Sequence, residues 1–177
     1  MGISTRAAGW AAALTLAFTL TGCSPTGAEE PAELTDEQAF ALAEETYRQY
    51  LEIFALLTND PSQPETLLSQ VESEEALEGD LAGYRDLQSR GVRWIGRPEI
   101  VGVQGVDVLR LGSAGLQARI DLCLDYSTVQ RVDAEGKQMP LRPSDPRVNR
   151  RVTVQVDRDG EPKVMRNVLE GGVCALA

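Results

Sequence analysis

The chain has 177 residues, of which 42% are hydrophobic and 25% are charged, with 27 acidic residues, 17 Lys and Arg, and no histidine. This length suits one globular domain, and these fractions exclude a wholly disordered chain, a collagen-like fibre and a polytopic membrane protein. The net charge of -10 argues against a nucleic-acid partner, because phosphate contacts need a basic surface. The absence of histidine excludes Ser-His-Asp and Cys-His catalysis and removes the commonest zinc ligand.

The first 22 residues have the organisation of a secretory signal. Arg6 precedes an apolar run from Ala7 to Leu20, which is too short to span a bilayer because a transmembrane helix needs about 20 apolar residues. An aliphatic residue, two small residues and a cysteine end this segment, namely Leu20, Thr21, Gly22 and Cys23. Any stable membrane attachment is therefore expected to be covalent.

These four residues resemble the lipobox of bacterial lipoproteins. The resemblance implies that the signal peptide 1–22 is removed and that the Cys23 thiol carries a diacylglyceryl group. Two acyl chains, palmitate among them, give stable anchoring where one chain does not. Residues 23–34 then form a lipidated, flexible tether, since they are polar, acidic and contain proline. We expect a lipid-anchored protein on the extracytoplasmic side of the cell membrane; a plain secretory signal with a chance cysteine is the alternative.

Two cysteines remain after lipidation, Cys123 and Cys174. Export places them in an oxidising compartment, where a pair of cysteines usually forms a disulfide. In the chain-entropy model, closing a loop of about 50 residues contributes about 4 kcal/mol to stability. We therefore predict a Cys123–Cys174 disulfide. Two buried free cysteines are the alternative, because spacing alone does not establish geometry.

Helical patterns occupy residues 35–90. Thr35–Gln38 has the form of a capping box, and an apolar stripe behind it runs to Phe54 before a turn at Asn59–Pro61. A short helix is predicted from Pro64, and a third helix is predicted from Ser73 to just before residue 91.

The apolar period changes from 3.6 to 2 residues after residue 91. A change of alternation phase between Val103 and Val106 predicts a bulge at Gln104–Gly105. Leu116–Leu124 gives the strongest strand signal, and Val152–Val156 repeats it. Helices first and antiparallel strands afterwards predict an α+β domain over residues 35–177, with N-terminal helices packed on a curved antiparallel sheet.

This order of elements resembles the NTF2-like, or cystatin-like, cone of many small exported lipoproteins of actinobacteria. The resemblance rests on element order, on Cys123–Asp125 followed by a short strand and a turn at Asp133–Gly136, and on the C-terminal cysteine. It implies a concave sheet face covered by helices. It does not imply one function, because this fold hosts enzymes, binders and scaffolds.

Two kinds of function suit such a domain. One is non-catalytic binding of an apolar small ligand in the cone or of an envelope protein. The other is an isomerase or dehydratase reaction on a small apolar substrate, with a carboxylate base and a tyrosine donor. Strand alternation turns Asp121 and Asp125 away from the concave face, so we expect binding and assign no catalytic residue. The candidate pocket residues are Tyr47, Trp94, Tyr126 and Arg166.

Charge is unevenly distributed along the chain. Residues 29–86 contain 16 acidic and 2 basic residues, whereas residues 87–177 contain 11 acidic and 14 basic residues. Five basic residues around a Pro-rich loop form a candidate basic patch that would meet anionic head groups or an acidic partner. A solvated loop is the alternative. The patch consists of Lys137, Arg142, Arg147, Arg150 and Arg151.

No metal site and no cofactor are expected from the sequence. Acidic residues cluster at residues 72–80, but carboxylates at a helix N-terminus are favoured by the helix dipole and usually form a solvated face. Asp157–Gly160 begins like a calcium-binding loop and lacks the spaced ligands that should follow, so we interpret it as a turn. The sequence leaves the oligomeric state open.

Overall fold

The structure is a computed structural model that describes residues 34–140, 146–158, 160–170 and 174. Helices come first and antiparallel strands follow, which confirms the α+β prediction. The helices are α1 (Asp36–Asn59), a 3₁₀ helix (Glu65–Gln70), α2 (Glu74–Ser89) and a second 3₁₀ helix (Gly112–Ala114). The strands are β1 (Arg93–Ile95), β2 (Glu99–Arg110), β3 (Leu116–Asp125), β4 (Gln130–Val132), β5 (Gln138–Met139), β6 (Arg147–Val156) and β7 (Pro162–Glu170).

The strands form two antiparallel sheets. The larger sheet has the order β2-β3-β6-β7, and the smaller one has the order β1-β4-β5. Strands β3 and β6 pair without interruption, whereas β2 shifts register against β3 at Val101 and again at Val106. The second shift accounts for the change of alternation phase, and it lies next to the predicted bulge at Gln104–Gly105. The first shift was not predicted.

Helix α1 begins at a capping box, as the sequence predicts. The Gln38 N–H donates to Thr35 Oγ1 at 3.2 Å, and the Thr35 N–H donates to Gln38 Oε1 at 2.8 Å. These two bonds satisfy backbone donors that have no partner inside the helix. The helix ends at Asp60, whose backbone is extended and whose N–H donates to the Leu56 carbonyl.

The core lies between α1 and the inner face of the larger sheet. On β3 the inner-facing residues are all 0% exposed, apart from Leu116 at the strand end. Small residues of α1, Ala39 and Ala43, are also fully buried. The Phe40 ring covers Gly105 on β2 so closely that a Cβ at Gly105 would lie 2.5 Å from ring carbons. The predicted inward alternation of β3 is therefore confirmed at Ala118, Ile120, Leu122 and Leu124.

The outer face of the larger sheet carries ion pairs and a disulfide. Arg151 donates to Asp121 at 2.7 Å, and Arg147 donates to Asp125 at 3.1 Å. Both aspartates therefore point away from the core, as the alternation predicts. Cys123 and Cys174 are bonded to each other, with their Cα atoms 5.4 Å apart, so the predicted pair is at disulfide distance.

Within the described residues, no helix combines the length and the hydropathy needed to cross a bilayer. The signal peptide, the Leu20–Cys23 motif and all but the last residue of the tether lie outside the described residues. Their assignment stays a prediction.

Candidate functional site

Three of the four predicted pocket residues lie near one another. The Trp94 and Tyr126 rings meet edge to face, with centroids 6.0 Å apart and an interplanar angle of 77°. Tyr126 follows β3 directly, and its hydroxyl raises the pKa of the buried Tyr47 electrostatically, although burial is the main cause of that rise. These three side chains come from α1, β1 and the end of β3.

Arg166 lies apart from these aromatic residues. A register shift between β6 and β7 leaves Met165 without a partner and places Arg166 opposite Thr153. Thr153 also pairs with Arg119 on β3. All three residues lie on the outer face of the sheet, because the residues next to Thr153 and Arg119 in the chain point into the core. Arg166 is accordingly exposed and does not face α1.

The predicted basic patch is divided between the two faces of the sheet. Arg147 and Arg151 lie on the outer face, paired with Asp125 and Asp121. Arg150 points the other way, because it lies directly between Leu122 and Leu169 in the pairing register. Lys137 is exposed in the turn between β4 and β5, and Arg142 lies outside the described residues.

Arg150 joins the aromatic residues instead. Its guanidinium lies close enough to the Tyr47 hydroxyl to lower the pKa of that group, in opposition to burial. Arg131 adjoins the same group, since it lies directly opposite Trp94 in the β1–β4 pairing. We call these five residues the aromatic–arginine row: Arg131, Trp94, Tyr126, Tyr47 and Arg150. The sequence pattern did not indicate that Arg131 belongs to this row, because its position beside Trp94 follows only from the pairing of β1 with β4.

The row contains buried hydrogen-bond donors without acceptors. Trp94 Nε1, Arg131 Nε and Arg150 Nε are all shielded from solvent, and none has a hydrogen-bond partner among the described residues. Leaving a buried donor unsatisfied costs about 1–3 kcal/mol, and the cost is larger near a charge. Most buried polar groups in proteins have a partner, so three such donors in one row mark a place where an acceptor is missing.

A second polar cluster joins α1, α2 and β7. The Tyr47 hydroxyl donates to Asn167 Oδ1 at 3.2 Å, and the Asn167 side-chain amide donates to the Tyr50 hydroxyl at 3.4 Å. The Tyr50 hydroxyl in turn donates to Asp80 at 2.6 Å. Burial is the main reason that the pKa of Tyr50 is raised well above its ordinary value. The cluster therefore holds two neutral tyrosines beside a carboxylate.

Glu72 extends this cluster and departs from the solvated face that the sequence suggested. Its side chain is almost completely buried, with 3% exposed, and neither carboxyl oxygen has a partner in hydrogen-bond geometry among the described residues. Burial, followed by the nearby Asp80 carboxylate, raises the pKa of Glu72 to about 9. At neutral pH Glu72 is therefore protonated and uncharged.

Two of the clefts on the described surface lie away from the core-facing side of β3. A cleft of about 410 Å³ lies among the ends of α1 and α2 and the residues before β1, with Leu57, Leu87 and Val92 on its walls. A smaller cleft of about 270 Å³ lies between α1 and the start of β2. Neither includes Glu72 or a member of the aromatic–arginine row. In the described part of the chain, no three metal-ligating side chains come together.

These features define an α+β domain with a filled core and polar clusters at its margins. No protein-family profile matches the sequence, and no curated protein matches it significantly. Among solved structures, the chain is similar to the crystal structure of the intermembrane space region of chloroplast protein ARC6. The TM-score is 0.53 at 12% sequence identity, over 75% of this chain and 97% of that one. At this identity the likeness concerns the fold alone.

Proposed function

We propose that this chain is a lipid-anchored, non-catalytic binding domain of the cell envelope, held on the extracytoplasmic side by diacylated Cys23. In this proposal the domain is an NTF2-like cone, and it docks an envelope protein along the free edge of β2. The Leu20–Cys23 motif supports the anchor, and a cysteine pair at disulfide distance suits an oxidising compartment.

The free edge of β2 is the observation that carries the docking proposal. Among the described residues, β2 is one of the two edge strands of the larger sheet, and its 12 residues make it longer than β7, the other edge strand, which has 9. Its exposed apolar side chains are Val101 at 40%, Val103 at 37%, Val106 at 42% and Leu109 at 55%. A long apolar edge strand is a template for pairing with another strand, which is a common mode of peptide recognition. The bulges at Val101 and Val106 divide this edge, so a partner strand would pair over a short stretch.

The filled core favours docking over an apolar ligand inside the cone. Ala118, Ile120 and Leu122 are 0% exposed against α1, and neither described cleft contains a residue of β3. A ligand between the helix and this face would have to displace close-packed side chains, which protein interiors resist.

The enzymatic alternative is supported by one observation, the cluster of Glu72, Asp80 and Tyr50. A carboxyl with a raised pKa beside a tyrosine is an arrangement that acid–base catalysts use. A substrate must touch such an acid, however, and both oxygens of Glu72 are enclosed and lie outside the two described clefts. We therefore rank catalysis below docking.

The anchor is tested by Cys23→Ala in the native host. The wild type is expected to sediment with membranes and to incorporate labelled palmitate, whereas the variant should lose the label and should either reach the medium or retain its signal peptide. Cys123→Ala is the matched control, since it removes a different thiol and should keep the label. Membrane association and labelling of Cys23→Ala at wild-type levels would refute the anchor.

The docking edge is tested by placing a photo-crosslinking residue at Val106 and irradiating intact cells. We expect an adduct with one envelope protein. The matched control is position Leu56 on α1, which is 44% exposed and therefore similarly accessible. Equal adducts from both positions, or none from either, would contradict the proposal. An adduct with a second copy of this chain would also contradict it, because it would show that the β2 edge mediates self-association.

A further inference from the structure

We propose that the aromatic–arginine row is a binding site for the oxyanion group of a small molecule, a carboxylate or a phosphate. The acceptor oxygens of that group would receive the N–H donors of Trp94, Arg131 and Arg150. This inference concerns another part of the molecule than the β2 edge and does not depend on the docking proposal.

The chemistry of the unsatisfied atoms indicates an anion. Each of the three is an N–H donor, and two of them belong to positively charged guanidinium groups. Guanidinium groups bind carboxylate and phosphate with favourable geometry, and an indole can only donate. What the row lacks is therefore an acceptor that carries negative charge.

Most of the other arginines of the described chain contrast with these two. Eight of them form ion pairs with acidic residues of the chain, from Arg48–Glu44 on α1 to Arg151–Asp121 on the sheet. Arg131 and Arg150 form no ion pair within the described residues, although each has a buried nitrogen without a hydrogen-bond acceptor. Asp80 acts on Tyr47 from the other side, but the Tyr50 hydroxyl already donates to it.

The strand pairing brings two of the three donor residues side by side. Trp94 and Arg131 are direct cross-strand partners, whose Cβ atoms lie about 4.5–5.5 Å apart in such pairs. The Tyr126 ring holds the indole in place from the side, at 6.0 Å. Trp94, Arg131 and Arg150 are each only partly buried as residues, whereas their three unsatisfied nitrogens are shielded, so a small anion would reach these nitrogens by displacing the outer parts of the side chains.

Trp94 provides the readout. The sequence contains one other tryptophan, Trp10, which lies in the predicted signal peptide, so the Trp10→Phe variant in detergent reports on Trp94 alone whether or not that peptide is removed. Sodium benzoate and sodium phosphate are titrated at constant ionic strength, with sodium chloride as the balancing salt. We expect a saturable change in Trp94 emission with benzoate, phosphate or both, and a higher Tm in the same anion than in chloride.

Arg131→Met and Arg150→Met keep the aliphatic part of each side chain and remove its charge. Each is expected to weaken anion binding at least tenfold. Arg166→Met is the matched control, because Arg166 is exposed on the outer face, and its binding curve should match that of the wild type. If a variant folds poorly by circular dichroism, the anion-dependent Tm shift of the Trp10→Phe chain decides the question without it.

The source of the oxyanion is resolved by a further titration with vesicles of phosphatidylglycerol or of phosphatidylcholine. Saturation by a free anion assigns the site to small carboxylates or phosphates, whereas a response to phosphatidylglycerol vesicles only assigns it to a lipid phosphate. The proposal is overturned if chloride gives the same response, if neither a free anion nor phosphatidylglycerol changes Trp94 emission or Tm, or if both arginine variants bind like the wild type.

Discussion

Glu72 is a buried acid that the fold holds in its neutral form. Its folded pKa of about 9 lies above the ordinary value of 4.5, so the folded state binds this proton more tightly than the unfolded state does. The associated stability is fully present below pH 4.5, declines as pH rises and is lost above about pH 9. The slope is at most about 1.4 kcal/mol per pH unit.

Glu72→Gln should remove this dependence. The amide has nearly the shape of the protonated acid and does not titrate, so the variant is expected to unfold at higher denaturant than the wild type at pH 8 and to show a flatter stability profile. Urea unfolding between pH 5 and 9 measures both effects. Glu74→Gln, which changes an exposed acid two residues away, should keep the wild-type slope. A Glu72→Gln profile as steep as the wild type would show that another group titrates.

Neither the burial of Glu72 nor the direction of Arg150 could be predicted at the residue scale. Glu72 lies among several glutamates, and nothing in the local sequence distinguishes the buried one from the exposed ones. Arg150 and Arg151 are neighbours of the same residue type, and strand alternation sends them to opposite faces. Arg150 is in phase with Val152 and Val154 and therefore faces inward, but the apolar pattern that predicted this strand began only at Val152, whereas β6 begins at Arg147. Tyr47, Trp94 and Tyr126 were predictable as candidates because large aromatic residues are seldom left exposed.

At the scale of elements, the apolar period was enough to predict α1, α2 and β3. The capping box located the start of α1, and the run of Leu116–Leu124 located β3 together with its inner face. The shifts at Val101 and Met165 were not predictable, because each inserts one residue without a local sequence signal. The shift at Met165 explains why Arg166 faces outward.

Two glycine substitutions separate close packing from chain entropy. Gly105→Ala should destabilise the domain by about 1–3 kcal/mol, because the new methyl group meets the Phe40 ring. Gly83→Ala, in the exposed part of α2 with no atom near its Cβ position, should stabilise it by about 0.5–1 kcal/mol. Thermal unfolding of the two variants and the wild type measures both effects. If Gly105→Ala is as stable as the wild type, the packing of Phe40 on Gly105 is not as described; a destabilised Gly83→Ala would contradict only the open site on α2.

At the scale of the whole molecule, the Cys123–Cys174 bond connects the C-terminal region to the central strand β3. Cys123 lies on the outer face, yet it is 0% exposed. The two cysteines are 51 residues apart in sequence. The sequence predicted this pair from the expected compartment, but only the fold brings the two Cα atoms together.

Replacing both cysteines by serine is expected to lower the free energy of unfolding by about 2–4 kcal/mol, because the unfolded chain regains the freedom that the bond removes. Urea unfolding of the double variant measures the loss. Each single serine variant and the reduced wild type should show a similar loss, since each lacks the same bond. A double variant as stable as the oxidised wild type would mean that the bond contributes nothing to the fold.

The same bond also changes what a single proteolytic cut can do. The covalent ring that it closes contains the end of β3 and all of β4 to β7. Arg158 is exposed in the turn between β6 and β7, which is the kind of position that a trypsin-like protease cuts. Both pieces would stay in one molecule, tied by the disulfide and by the hydrogen bonds between β6 and β7. The domain is therefore built to remain whole after nicking, as long as its surroundings stay oxidising.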